Sequence, residues 1–109
     1  MNSSAIYIQE PLMSVDVILD LQVNPENREE LLAIFKGILP DTRTYQGCQG
    51  VVVTTNEDDL HNIVLLEKWA HRSDHESYMD WRVERGDIDK LVALLSAPPA
   101  VRYLESISI

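Results

Sequence analysis

The sequence predicts an α+β fold: a four-stranded antiparallel sheet with its helices on one face. Three observations carry that expectation. Segments with an apolar period of two and segments with an apolar period near 3.6 follow one another in the order β-α-β-β-α-α-β. The second and third strand candidates are separated only by a short acidic turn, which makes them a hairpin and so an antiparallel pair. Finally, 109 residues that are 45% hydrophobic, with only 4 Gly and 5 Pro, suffice for one core and exclude separate cofactor and substrate lobes.

Each element has its own warrant. Over 15–23, Val15, Val17, Leu19, Leu21 and Val23 fall on one face, with Asp16, Asp20 and Gln22 among the residues opposite. That alternation is a half-buried strand. Asn24-Pro25 has the form of an N-cap with proline at the first helical position, and Leu31, Ile34, Phe35 and Ile38 recur at helical spacing. A first helix is therefore expected over about 25–38, with Pro40 as its stop. Residues 41–50 form a polar connection with two glycines, after which VVVTT at 51–55 is β-branched throughout and makes a second strand. The turn at 56–59 leads into a third strand over 61–69. Ser73 and Glu76 have capping-box spacing, and His75, Tyr78, Met79 and Arg82 share one face of the second helix that follows. Gly86 interrupts it; Asp87 is placed to cap a third helix striped by Ile88, Leu91, Val92 and Leu95 and ended by Pro98-Pro99. Val101, Tyr103, Ile107 and Ile109 then predict a last strand. No repeat interrupts this plan, and residues 1–13 form an extension before a single domain at 14–109, with Met13-Ser14 as an alternative start. The order, with helices segregated to one face, is the ferredoxin-like arrangement.

Strands two and three are apolar on both sides: Val51 and Val53 against Val52, Ile63 and Leu65 against Val64 and Leu66. Helices cover one face, so the other needs a partner, and a two-fold homodimer is the simplest one. Eighteen acidic against nine basic residues leave a net charge of -9, which repels phosphate backbones and anionic membranes. No apolar run approaches the roughly 20 residues of a spanning helix, and the first dozen residues lack the pattern of a signal peptide. A cytoplasmic protein is expected, and the single Cys48 fits a reducing compartment, as a small buried hydrophobe rather than a nucleophile. His71 and His75 have the i, i+4 spacing of a metal pair, but the Ser73 cap between them places His71 ahead of the helix, and no third ligand is evident. With no Gly-rich nucleotide loop or zinc helix motif either, neither flavin nor metal is expected as a cofactor.

TRTYQGCQG ahead of strand two, LLEKW at the end of strand three, RSDHESYMDWR at the start of the second helix and APPAVRYLE near the end of the chain resemble, in order and spacing, the antibiotic biosynthesis monooxygenase family of the dimeric α+β barrel superfamily. The resemblance covers roughly residues 14–109. It implies a barrel made by two packed sheets, with a pocket in each subunit between sheet and helices. Characterised members include enzymes that oxygenate polyphenols or quinols with molecular oxygen and no cofactor, and relatives that degrade haem, while many more have no established activity, so the resemblance implies the fold more strongly than the reaction.

Candidate residues cluster on strand three and the second helix. Trp69 matches the family's tryptophan and shares a face with Leu65 and Glu67. It is either a pocket wall whose indole N–H donates to a substrate oxygen or a core aromatic. Glu67, between Leu65 and Trp69, is costly to bury unpaired. It is a base with a raised pKa or half of a pair with Arg72, Arg82 or Arg102, and we expect the pair. Haem-degrading relatives carry an axial histidine on the second helix, yet the position nine after the tryptophan is Tyr78, and His75 lies earlier. Tyr78 suits a hydrogen bond to a phenolic substrate and Arg82 a phenolate oxygen. The expected catalytic set is thus Trp69, Tyr78 and Arg82, with His75 and Glu67 in substrate binding. The expected function is a cofactor-independent monooxygenase acting on a phenolic or quinol-type molecule. The alternatives are a non-catalytic binding or assembly module and a haem enzyme in which His75 reaches the iron.

Overall fold

The computed structural model describes residues 14–109, so the extension expected over 1–13 lies outside the described residues. The strands are β1 (Val15–Gln22), β2 (Cys48–Asn56), β3 (Asp59–Trp69) and β4 (Ala100–Leu104). The helices are α1 (Arg28–Thr44), α2 (Arg72–Glu84) and α3 (Asp87–Val92). Every strand pairing is antiparallel, in the order β2-β3-β1-β4, which is the ferredoxin-like sheet. The register aligns one inward row across all four strands: Val51, Glu67, Val17 and Tyr103. Because side chains alternate, the neighbouring inward rows are Cys48, Trp69 and Val15 on one side and Val53, Leu65, Leu19 and Val101 on the other.

Two apolar clusters hold the helices to that face. The larger joins Leu21, Ile63 and Leu65 of the sheet to Leu31, Phe35 and Leu39 of α1 and Leu91 of α3. Each such residue contributes roughly 1.5–3 kcal/mol when fully buried. The smaller is aromatic, with Val17, Trp69 and Tyr78 at its centre and Tyr45, Trp81 and Tyr103 around it. The outer face is uncovered by helices, and there Val52 stands opposite Leu66 in register, both exposed, with Ile18 next in the row.

Several boundaries differ from expectation for tertiary reasons. Pro40 does not stop the first helix, which runs on to Thr44. Proline removes one N–H from the ladder, but Leu39 and Thr42 on either side of it are buried, and the Arg82 guanidinium holds the turn by donating to the Ile38 carbonyl at 2.9 Å. Asn24 does not cap by its side chain; its amide donates instead to the Leu95 carbonyl at 3.2 Å, tying the start of α1 to the segment after α3. Ser73 is already helical, and the flanking His71 supplies the cap position of α2 with no side-chain cap bond. Asp87 is the first residue of α3 rather than its cap, because Gly86 takes the preceding left-handed position at φ 81°. Val92 faces solvent while Leu94 is buried, and β4 ends at Leu104, leaving Ile107 and Ile109 exposed beyond it.

Candidate active site

β3 aims Glu67 inward because its alternation is fixed by Ile63 and Leu65, both fully buried. A carboxyl at that position cannot reach bulk water, and it is 7% exposed. Its Oε1 accepts the Trp69 indole N–H at 2.9 Å and stands 3.8 Å from His75 Nε2. Burial pushes the Glu67 carboxyl above the ordinary carboxylate range, and the indole N–H offsets only part of that. His75, on α2, is also buried, which pushes its pKa down to about 4 despite the nearby Glu76. Its Nδ1 lies 2.7 Å from the Tyr103 hydroxyl.

A second polar cluster sits one turn further along α2. Tyr78 Oη lies 2.6 Å from Thr42 Oγ1, and Arg82 Nε donates to the same Tyr78 oxygen at 2.9 Å. The remaining Arg82 nitrogens reach Asp87 at 2.9 Å, the Ile38 carbonyl at 2.9 Å and Thr42 at 3.2 Å. Burial opposes the Arg82 charge, but the Tyr78 and Asp87 contacts more than offset it and hold its pKa above the ordinary value. Asp87 is correspondingly held below the usual carboxylate range, its partial burial outweighed by Arg82 and Arg85.

Between these clusters, the sheet and α1 lies a cavity of about 70 Å³. Leu19, Leu65, Phe35 and Met79 give it apolar walls, and Glu67, Tyr78 and Arg82 bring the polar groups. Pro99, Val101 and Ile88 border it where β4 and α3 approach the surface. The chamber thus sets one buried carboxyl, one phenol and one guanidinium at the edge of an apolar space, groups able to exchange a proton and to stabilise an anion.

The sequence model of the antibiotic biosynthesis monooxygenase family matches residues 14–85, which span β1 to the end of α2. The chain belongs to that family. Its fold is shared by a conserved protein from Methanosarcina mazei Go1, with a TM-score of 0.84 at 18% identity over 93% of this chain and 99% of the other. Rv0793 from Mycobacterium tuberculosis gives 0.77 at 23% identity, covering 88% and 97%. A structure described as an antibiotic biosynthesis monooxygenase gives 0.78 at 16% identity, covering 86% and 99%. No curated protein matches the chain. Membership in the family supports a monooxygenase-type function in general terms.

This family member brings the five expected residues into one region, with contacts for Trp69, Glu67 and His75 that differ from those the sequence suggested. Trp69 is fully buried and absent from the cavity lining, and its N–H is taken by Glu67, so it does not present a donor to a ligand. Glu67 pairs with Trp69 and approaches His75; none of Arg72, Arg82 or Arg102 reaches it, since Arg72 binds Glu76 and Arg82 binds Asp87. The row register explains this, because Arg102 lies on the outer face of β4. His75 lies behind Glu67, with one ring nitrogen facing that carboxyl and the other Tyr103, so it does not fit the role of an axial haem ligand. Three participants were not singled out in the sequence. Thr42 lay in the expected polar connection and Asp87 at the expected helix cap, whereas Tyr103 stood in the Arg-Tyr pair of the C-terminal resemblance and its inward alternation was a usable signal. No helix among the described residues is long and apolar enough to cross a membrane.

Proposed function

We propose that this chain is a monooxygenase that oxidises a small phenolic or quinol-type molecule with molecular oxygen, as a homodimer. The observation that carries the reading is Glu67, a buried carboxyl opening onto an apolar cavity, held by an indole N–H rather than neutralised by a cation. In this reading the substrate hydroxyl gives its proton to Glu67, and the Tyr78–Arg82 pair provides the positive potential that stabilises the phenolate. The phenolate transfers an electron to dioxygen, and recombination at a ring carbon bearing hydrogen forms the new C–O bond of a hydroperoxide. Loss of water then leaves a quinone: phenol plus dioxygen yields quinone plus water, with four electrons moved from the ring. The cavity is about half the roughly 150 Å³ that accommodates benzene in a dry protein core. Even a single-ring substrate therefore requires the cavity to widen, and the unbranched Met79 in its lining is the side chain best able to give way. The second copy covers the outer sheet face at Val52, Leu66 and Ile18.

Oxygen-18 gas decides the reaction. With a panel of single-ring phenols and quinols, one labelled atom is expected in the organic product and the other in water. Absence of labelled product and of oxygen uptake above the buffer control would leave the non-catalytic binding module as the reading, which the internal pairing of all three Arg82 side-chain nitrogens favours.

A further inference from the structure

Glu67 and Tyr103 occupy the same inward row, on β3 and β4, with Val17 of β1 between them. Two strand spacings, roughly 9–10 Å, separate their backbones, and no hydrogen bond joins them directly. His75 comes down from α2 and spans that gap, its Nε2 3.8 Å from Glu67 Oε1 and its Nδ1 2.7 Å from the Tyr103 hydroxyl. At the far end Tyr103 is only partly buried and borders a surface cleft together with Val15, His71 and Leu104. Three groups from three elements thus lead from a buried carboxyl toward the solvent edge, hydrogen-bonded at the Tyr103 end and just beyond hydrogen-bond length at the Glu67 end, a gap that a small side-chain rotation closes.

We infer that Glu67, His75 and Tyr103 form a proton line that equilibrates the cavity carboxyl with solvent. The inference rests on Glu67 being the base of the proposed reaction. A buried carboxyl that carries a proton must release it before it can act, and the other oxygens lining the cavity, on Thr42, Tyr78 and Asp87, are engaged with one another and with Arg82. His75 accepts a proton at Nε2 and passes one from Nδ1 to Tyr103, whose own hydroxyl proton goes to water. Return of a proton along the same path, when the hydroperoxide loses water, restores the starting tautomer, so the cycle is balanced. His75 and Tyr103 touch no substrate; they act through Glu67. Burial keeps His75 neutral near pH 7 and keeps Tyr103 protonated, its hydroxyl raised by burial and by Glu76, as neutral carriers require. The other titratable or charged groups around the line are Cys48 of β2 beside Glu67, Tyr78 of α2 beside His75, and Arg72 and Glu76 of α2 beside Tyr103; β1 contributes only Val15 and Val17. Arg72 lies 4.0 Å over the Tyr103 ring and fixes its orientation.

The test is the hydrogen–deuterium exchange of the Glu67 carboxyl, followed by rapid-mixing infrared spectroscopy of the whole protein. Its band is assigned by its loss in Glu67→Gln. Tyr103→Phe deletes one hydroxyl at a partly exposed site; it should slow exchange roughly tenfold or more, and millimolar imidazole should restore it. His75→Gln, measured in the same way, should do likewise. Exchange that is unaffected in both variants, or slowed but insensitive to imidazole, overturns the line. Because this readout needs no turnover, the two proposals fail separately. Slowed, rescuable exchange without any oxygen uptake keeps the line and removes the monooxygenase reading, and the reverse pattern removes the line alone.

Discussion

At the scale of single residues, Glu67 and His75 respond to burial in opposite directions with respect to pH. The folded chain favours the protonated Glu67 carboxyl, so its contribution to stability is full below the ordinary glutamate value and is lost as pH rises through the raised one. His75 is neutral when folded, with a pKa of about 4 against the ordinary 6.5. Its contribution is full above 6.5 and is lost as pH falls toward 4, amounting to about 3 kcal/mol at full extent. Glu67→Gln keeps an acceptor for the Trp69 N–H but cannot ionise. The variant is therefore expected to gain in stability relative to the natural chain as pH rises from 5 to 8, and to share its acid-side loss. Thermal unfolding across that range checks this, and a difference that is flat with pH would mean that Glu67 is not shifted. The same substitution should abolish most of any oxygen uptake.

At the scale of elements, the last turn of α1 and the junction of α2 with α3 form one polar joint. Thr42 is brought to it only because α1 continues past Pro40, and there it meets both the Tyr78 hydroxyl and Arg82 Nη2. Asp87, set by the left-handed turn at Gly86, completes the guanidinium's partners. Thr42→Val keeps the shape and removes the hydroxyl, leaving two buried groups short of a partner. It should cost about 1–3 kcal/mol in denaturant unfolding with the helix content unchanged. A cost near zero would show that Tyr78 and Arg82 find other partners. Loss of helical signal would instead show that the turn past Pro40 depends on this one hydroxyl.

At the scale of the whole molecule, one face of the sheet is covered by helices and the other presents a row that reads Val52, Leu66, Ile18 and Arg102 across the strands. Val52 is 58% and Leu66 44% exposed, in adjacent positions, which is where a second copy would bury apolar area. Leu66→Lys places a charge at the centre of that row without touching the core. Light scattering at micromolar concentration should give twice the chain mass for the natural protein and the single mass for the variant. A natural protein that is monomeric, or a variant that stays dimeric, removes the outer face as the interface. The cavity lies on the opposite face, so the folded variant should retain the Glu67 carboxyl band.

The sequence by itself determined the strands, their antiparallel order, the inward row of β3 and the shared face of His75, Tyr78 and Arg82 on α2. Each of these follows from local periodicity, and apolar alternation in β3 could bury Leu65 only by burying Glu67 and Trp69 with it. What only the tertiary structure decided was who meets whom. Asn24 spends its amide on a carbonyl 71 positions away, Pro40 sits within a helix that distant Arg82 helps to hold, and Glu67 takes an indole and an imidazole rather than an arginine. Trp69 was recognisable as an aromatic of the site but not as the residue whose donor is used up there. The reason is physical. Periodicity specifies the face on which a side chain lies, while hydrogen-bond partners depend on the register between strands and on how a helix crosses them, and those are settled by packing contacts far apart in the chain.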